Sequence, residues 1–120
     1  MSRIQSRENA FKIIYSKLYV DDAEISPIEE IDDFCTSLVS AFTTNLEDIK
    51  QKVEVNLKGV KLERVYKNDL ALIYLAIAEI FYTEGSEYKV VINEVVELAK
   101  RYSTDNSPKF INGFLAGLVK

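Results

Sequence analysis

The 120-residue chain reads as an all-α protein, a compact bundle of about six to seven helices. Three observations predict this. Apolar residues recur at three- and four-residue steps in successive segments. Two serine–proline pairs, Ser26-Pro27 and Ser107-Pro108, have the form of helix starts, a capping residue followed by proline at the first helical position. No pair of alternating apolar and polar segments joined by a tight turn is present.

The elements follow in order. Ala10, Phe11, Ile14, Tyr15 and Leu18 form a first apolar stripe, and Asp21 to Ile25 reads as a loop. Ser26, Pro27 and Glu29 predict the second helix through a capping box, with Ile31, Phe34, Cys35, Leu38, Val39 and Phe42 inward. Asn45 is the expected cap of a third helix with Leu46, Ile49, Val53 and Leu57 inward, and Gly59 is its expected stop. Leu62 and Val65 suggest a short turn. Asn68 is the expected cap of a fourth helix that runs through the apolar residues 70–78 and ends near Gly85. The fifth helix is expected from Tyr88 to Tyr102. Its β-branched run Val90-Val91-Ile92 favours a strand locally, but the helical spacing continues through Val95, Leu98 and Ala99. After Ser107-Pro108, the sixth helix carries Phe110, Ile111, Phe114, Leu115, Leu118 and Val119. No repeat or linker divides residues 1–120, which read as one domain.

Composition excludes several function classes. There is no histidine and one cysteine, Cys35. Ser-His-Asp and Cys-His catalysis lack their base, and a Cys/His zinc site is excluded by count. No metal or cofactor is expected, since no glycine-rich phosphate loop is present either. A binding protein is expected, not an enzyme. The N-terminus lacks the apolar stretch of a secretory signal, and the longest apolar run falls short of the ~20 residues that span a bilayer. The reading is a cytoplasmic protein without a membrane segment. Charge is uneven: +3 over residues 1–20, −9 over 21–48, neutral over 49–87 and +2 over 88–120. The two ends are basic despite the net charge of −4.

Several residues carry candidate chemistry. The acidic pairs Glu29/Glu30 and Asp32/Asp33 suit a helix start, where they complement the dipole, better than acid–base work. Glu94 and Glu97 stand one turn apart, but no histidine completes a di-iron pattern. Glu79 interrupts the apolar run, so its carboxylate must be paired, hydrogen-bonded or open to a groove. A helix edge reaching solvent and a contact point for a partner both fit. Gly113 and Gly117 have the spacing of close helix packing, and Cys35 reads as a small core residue. Asn106, Lys109 and Phe110 place a cation and an aromatic in the first turn of a helix. Phosphate is attracted there, and a base can stack on the ring. The competing assignment for Phe110 is the core.

The segment from Tyr88 to Tyr102, YKVVINEVVELAKRY, resembles the "YKVAINEAVELAKRF" signature of the NusB family, and residues 109–115, KFINGFL, resemble its "KFVNGVLD". Residues 69–80 resemble the helix ending in "LRIALYEL", with Glu79 on the acidic position. Residues 7–15 resemble the "RExAxQALY" opening. The resemblance covers most of the chain and is weakest between Val20 and Lys58.

It implies an all-α fold of two helical bundles sharing one domain, and a role in transcription antitermination. Such proteins pair with NusE, a ribosomal small-subunit protein, bind single-stranded boxA RNA and help the RNA polymerase elongation complex read through terminators. Carried over by position, Tyr15 and Glu79 are expected to contact NusE. Arg3, Arg7, Lys89, Asn106, Lys109 and Phe110 are expected to face RNA. Monomeric and homodimeric members both occur. The chain also departs from the pattern. Only Arg3 and Arg7 remain of a dense arginine cluster, Ala78 replaces a tyrosine, and Tyr74 stands where many members have arginine. Each departure lowers the expected RNA affinity, because phosphate contacts dominate it. The Tyr74 ring is the expected substitute, by stacking. The alternative function is a protein–protein adaptor of the same fold with weak or no RNA recognition.

Overall fold

The structure is a computed structural model and describes residues 2–19 and 31–119. Among the described residues six helices run in order: α1 Arg3–Leu18, α2 Asp33–Thr44, α3 Leu46–Asn56, α4 Lys67–Tyr82, α5 Tyr88–Tyr102 and α6 Ser107–Leu118. A 3₁₀ turn, Leu62–Arg64, precedes α4. No strand occurs among the described residues.

Helix α4 is the axis of the molecule. It packs against each of the other five described helices, and α1 and α2, and α5 and α6, pack against each other around it. This follows from its sequence, because a helix that is apolar all round must be enclosed. Residues 70–78 are all buried, and the two carboxylates that bracket them, Asp69 and Glu79, are buried as well. Both have partners, as burial of a charge requires. Phe11, Ile14, Leu38, Phe42, Ile49, Ile111 and Leu115 join α4 in one apolar cluster.

Several element starts differ from the sequence expectation. The Ser26-Pro27-Glu29 capping box and Glu30 lie outside the described residues. Helix α2 begins at Asp33, capped by Asp32, and Ile31 is 56% exposed, so it does not join the inward stripe. Asn45 occupies the junction of α2 and α3, but its side chain donates to the Ala41 carbonyl at 2.9 Å and makes no cap bond. Asn68 lies inside the first turn of α4, and its amide donates to the Tyr102 carbonyl. Ser107 is the first residue of α6, and its buried hydroxyl accepts from the Thr104 N–H at 3.1 Å. In each case a polar side chain reaches a neighbouring segment or an earlier turn instead of capping its own helix. Gly59 and Gly85 follow helix ends with φ of 77° and 88°, conformations that side chains beyond glycine disfavour.

The Asp32 cap makes a prediction about acid. Its carboxylate accepts from the Ser6 hydroxyl at 2.6 Å and from the Cys35 N–H at 2.9 Å, joining α1 to the start of α2. These two bonds hold its carboxyl below the ordinary value of 3.8. The folded pKa is depressed, so this stabilisation is complete above the ordinary value and is lost as pH falls through the lowered one. Urea midpoints measured from pH 6 down to pH 2 are expected to drop less steeply for Asp32→Asn than for the wild type. Parallel curves would contradict this.

Candidate nucleic-acid interface

The two N-terminal arginines have different fates. Arg3 is exposed, and its guanidinium lies 4.1 Å from the centre of the Phe34 ring. Arg7 is 4% exposed and faces the interior. Its Nε donates to Glu79 Oε1 and its Nη2 to Glu79 Oε2, both at 2.7 Å, in a bidentate pair. The Ser86 hydroxyl adds a third bond to the same carboxylate at 2.7 Å. The bond to Glu79 raises the Arg7 pKa against the opposing effect of burial. This pair bears on two expectations. Arg7 has no surface from which to hold phosphate, and Glu79, at 0% exposure, neither sits at a solvent edge nor offers a charge to a partner. The pair binds α1 to α4 and to the loop before α5.

Tyr15 is partly buried on the edge of α1, tilted against Tyr19 at 4.9 Å and edge-on to Phe11 at 6.3 Å. Tyr74 is fully buried and packs against Phe42, so its ring is closed to a stacking base.

At the other end of the sequence the exposed candidates gather on the α5–α6 turn. Asn106, Lys109 and Phe110 are exposed. Phe110 is 38% exposed, with Phe114 6.2 Å away, while Ile111 and Leu115 take the core positions. A polar network holds the turn. Ser107 Oγ donates to Ser103 Oγ at 2.9 Å, and Ser103 donates in turn to the buried Asp69. With Asn68 on the Tyr102 carbonyl, the start of α4 fixes the end of α5 and the turn beyond it. Lys89 is exposed but stands at the opposite end of α5, about 20 Å from Tyr102 by helical rise. It lines a shallow groove with Asn93, Asn112 and Ala116 and is not brought to the turn. Gly113 and Gly117 face open space, so they do not mediate close helix packing.

The structure adds residues that sequence reasoning missed. The Tyr102 hydroxyl donates to the Glu8 carboxylate, and Arg101 pairs with the same Glu8 oxygen at 3.0 Å. The guanidinium of Arg101 and the ammonium of Lys12 lie 5.3 and 6.0 Å from the Tyr102 ring centre. An aromatic flanked by two cations thus adjoins the turn that carries Lys109 and Phe110. Only the run Lys100-Arg101-Tyr102 hinted at this, because Glu8 and Lys12 come from ninety residues away. Cations beside aromatic faces suit a single-stranded nucleic acid, whose phosphates and bases they contact respectively.

The fold and this edge define an all-helical protein with an aromatic rim that carries cations. Comparison with known proteins makes the class specific. The NusB family model matches residues 4–120. The transcription antitermination protein NusB of Clostridium novyi is 37% identical, with the alignment covering 100% of this chain and 99% of that one. The corresponding protein of Finegoldia magna is 38% identical over 100% and 95%. The solved structure of T. maritima NusB superposes with a TM-score of 0.83 at 26% identity, covering 98% of this chain and 90% of that one. The chain belongs to the NusB family, whose curated relatives are transcription antitermination proteins. Among the described residues no helix is long and apolar enough to cross a membrane.

Proposed function

We propose that this chain acts in the cytoplasm, as one domain, as an antitermination factor that binds single-stranded boxA-type RNA together with NusE, so that the RNA polymerase elongation complex reads through terminators. The observation that carries the RNA half is the rim formed by the exposed Arg101, Lys109 and Phe110 and the half-buried Tyr102, held by Asp69, Ser103 and Ser107. A preorganised aromatic and nearby cations lower the ordering cost of binding a flexible strand. Asn106 adds an amide for base edges, and Arg3 and Lys89 extend the contact to phosphates farther along the strand. Tyr15, partly exposed on α1, is the residue assigned to NusE. Arg7 and Glu79 are assigned a positioning role in place of direct contact.

Salt dependence tests the phosphate contacts. Each phosphate neutralised on a single strand contributes about −0.7 to the slope of log K against log salt. Lys109→Ala is expected to make the slope shallower by about that amount and to weaken binding of every RNA sequence alike. An unchanged slope would remove Lys109 from the interface.

A second reading, an adaptor that keeps NusE binding without RNA recognition, is favoured by the inward turn of Arg7, which leaves Arg3 as the exposed member of the N-terminal pair. It predicts that Phe110→Ala leaves terminator read-through intact, whereas the leading proposal predicts its loss.

A further inference from the structure

Glu8 lies beneath the rim. It stands on α1 with its side chain 7% exposed, whereas the Arg101 side chain paired with it is 61% exposed. A carboxylate so enclosed needs partners. Two donors at the end of α5 supply them, and both reach the same oxygen. Glu8 Oε2 accepts from the Tyr102 hydroxyl and from Arg101 Nη2, the latter at 3.0 Å. Adjacent residues on a helix point about 100° apart, so Arg101 and Tyr102 do not share a direction by helix geometry alone. The common oxygen draws them together, and the guanidinium comes to 5.3 Å from the Tyr102 ring centre. Phe11, three residues after Glu8 on α1, is fully buried and packs against the same ring at 5.2 Å. The ring is therefore held by Phe11 and its hydroxyl by Glu8. Burial first, and then the bond to Glu8, raise the Tyr102 phenol above its ordinary value of 10.0, so it stays protonated and keeps donating. The contact with Glu8 uses one terminal nitrogen of a guanidinium that has five N–H donors, so donors remain for a phosphate. An untethered arginine must be ordered when it binds, and that cost lowers affinity.

We infer that Glu8 is a positioning residue for RNA binding: from beneath the rim it holds the Arg101 guanidinium and the Tyr102 ring side by side, so that a phosphate and a neighbouring base are received together. This role rests on the RNA reading proposed above. Charge alone predicts the opposite effect of Glu8, because removing a carboxylate near a polyanion tightens binding.

The test titrates a labelled single strand of boxA type against the wild type, Glu8→Gln, Arg101→Ala and the double variant over a range of salt, with fold checked by circular dichroism and urea midpoints. Glutamine keeps an acceptor for the Tyr102 hydroxyl and loses the ion pair. Glu8→Gln is expected to weaken binding roughly tenfold although it removes a negative charge. Its salt slope is expected to be shallower by about 0.7, the mark of one lost phosphate contact, which a merely structural role would not move. Arg101→Ala is expected to do the same, and Glu8→Gln to add nothing in that background. If Glu8→Gln does not fold, Glu8→Asp carries the test, since it keeps the charge but shortens the reach, and the same weakening is expected. Wild-type or tighter binding by the folded Glu8 variant, with Arg101→Ala weakened, would overturn the inference and leave the rim standing, as would a loss undiminished in the Arg101→Ala background. Wild-type binding by Arg101→Ala as well would overturn the inference and remove Arg101 from the rim.

Discussion

Arg7→Ala is expected to lower the unfolding free energy by about 3–5 kcal/mol, a large part of the stability of a chain this size. The loss comes less from the removed attraction than from what remains. Glu79, fully buried, would keep a carboxylate with Ser86 as its one remaining side-chain partner among the described residues. Glu79→Ala is expected to cost a similar amount, because it leaves the buried guanidinium of Arg7 unpaired. Replacing both partners at once, Arg7→Met with Glu79→Leu, removes both uncompensated charges and is expected to recover most of the loss. Urea midpoints of the three variants measure this. A double variant no better than either single one would mean that the pair matters for its shape and not its charge. The same variants separate stability from recognition. Since Arg7 is turned inward, the folded double variant is expected to bind RNA with the wild-type salt slope. A shallower slope would place Arg7 on a phosphate after all.

Phe110→Ala is expected to weaken RNA binding by about 1–3 kcal/mol, the range for loss of one base–aromatic stack, or roughly 5- to 150-fold in affinity. Stability should change little, because the ring is partly exposed and packs mainly on Phe114. Its neighbour supplies the control. Ile111 is fully buried in the central cluster, and Ile111→Ala is expected to cost about 2–5 kcal/mol of stability. Phe110→Trp should retain binding, since any aromatic face serves a stack. Fluorescence anisotropy with a labelled strand reads the affinities, and an unchanged Kd for Phe110→Ala would show that the ring does not touch RNA.

The helices were legible in the sequence because apolar spacing is a property of each segment alone. Helix α5 has the expected bounds, and its β-branched start was overridden by the spacing that followed. Starts marked by polar side chains were harder to read. Asn45, Asn68 and Ser107 have the composition of caps, but Asn45 and Ser107 bond residues three or four positions earlier, and Asn68 bonds the distant Tyr102 carbonyl. The site divided in the same way. As candidates, Lys109 and Phe110 come from one local segment, and both are exposed. The pairing of Arg7 with Glu79 spans 72 residues, and that of Glu8 with Tyr102 spans 94. No local pattern distinguishes a buried arginine from one on a basic surface. Family resemblance assigned Arg7 and Glu79 to surface roles, whereas both are buried against each other. Tyr74 illustrates the same limit, since a tyrosine in an apolar run can face a groove or fill the core, and here it fills the core.

The central claim, RNA recognition shared with NusE, is tested most directly by titrating a labelled boxA strand and a scrambled strand of equal composition against the chain, with and without equimolar NusE. The account predicts tighter binding of boxA than of the scrambled strand and a further gain for boxA when NusE is present. Equal affinity for the two strands under both conditions would contradict it.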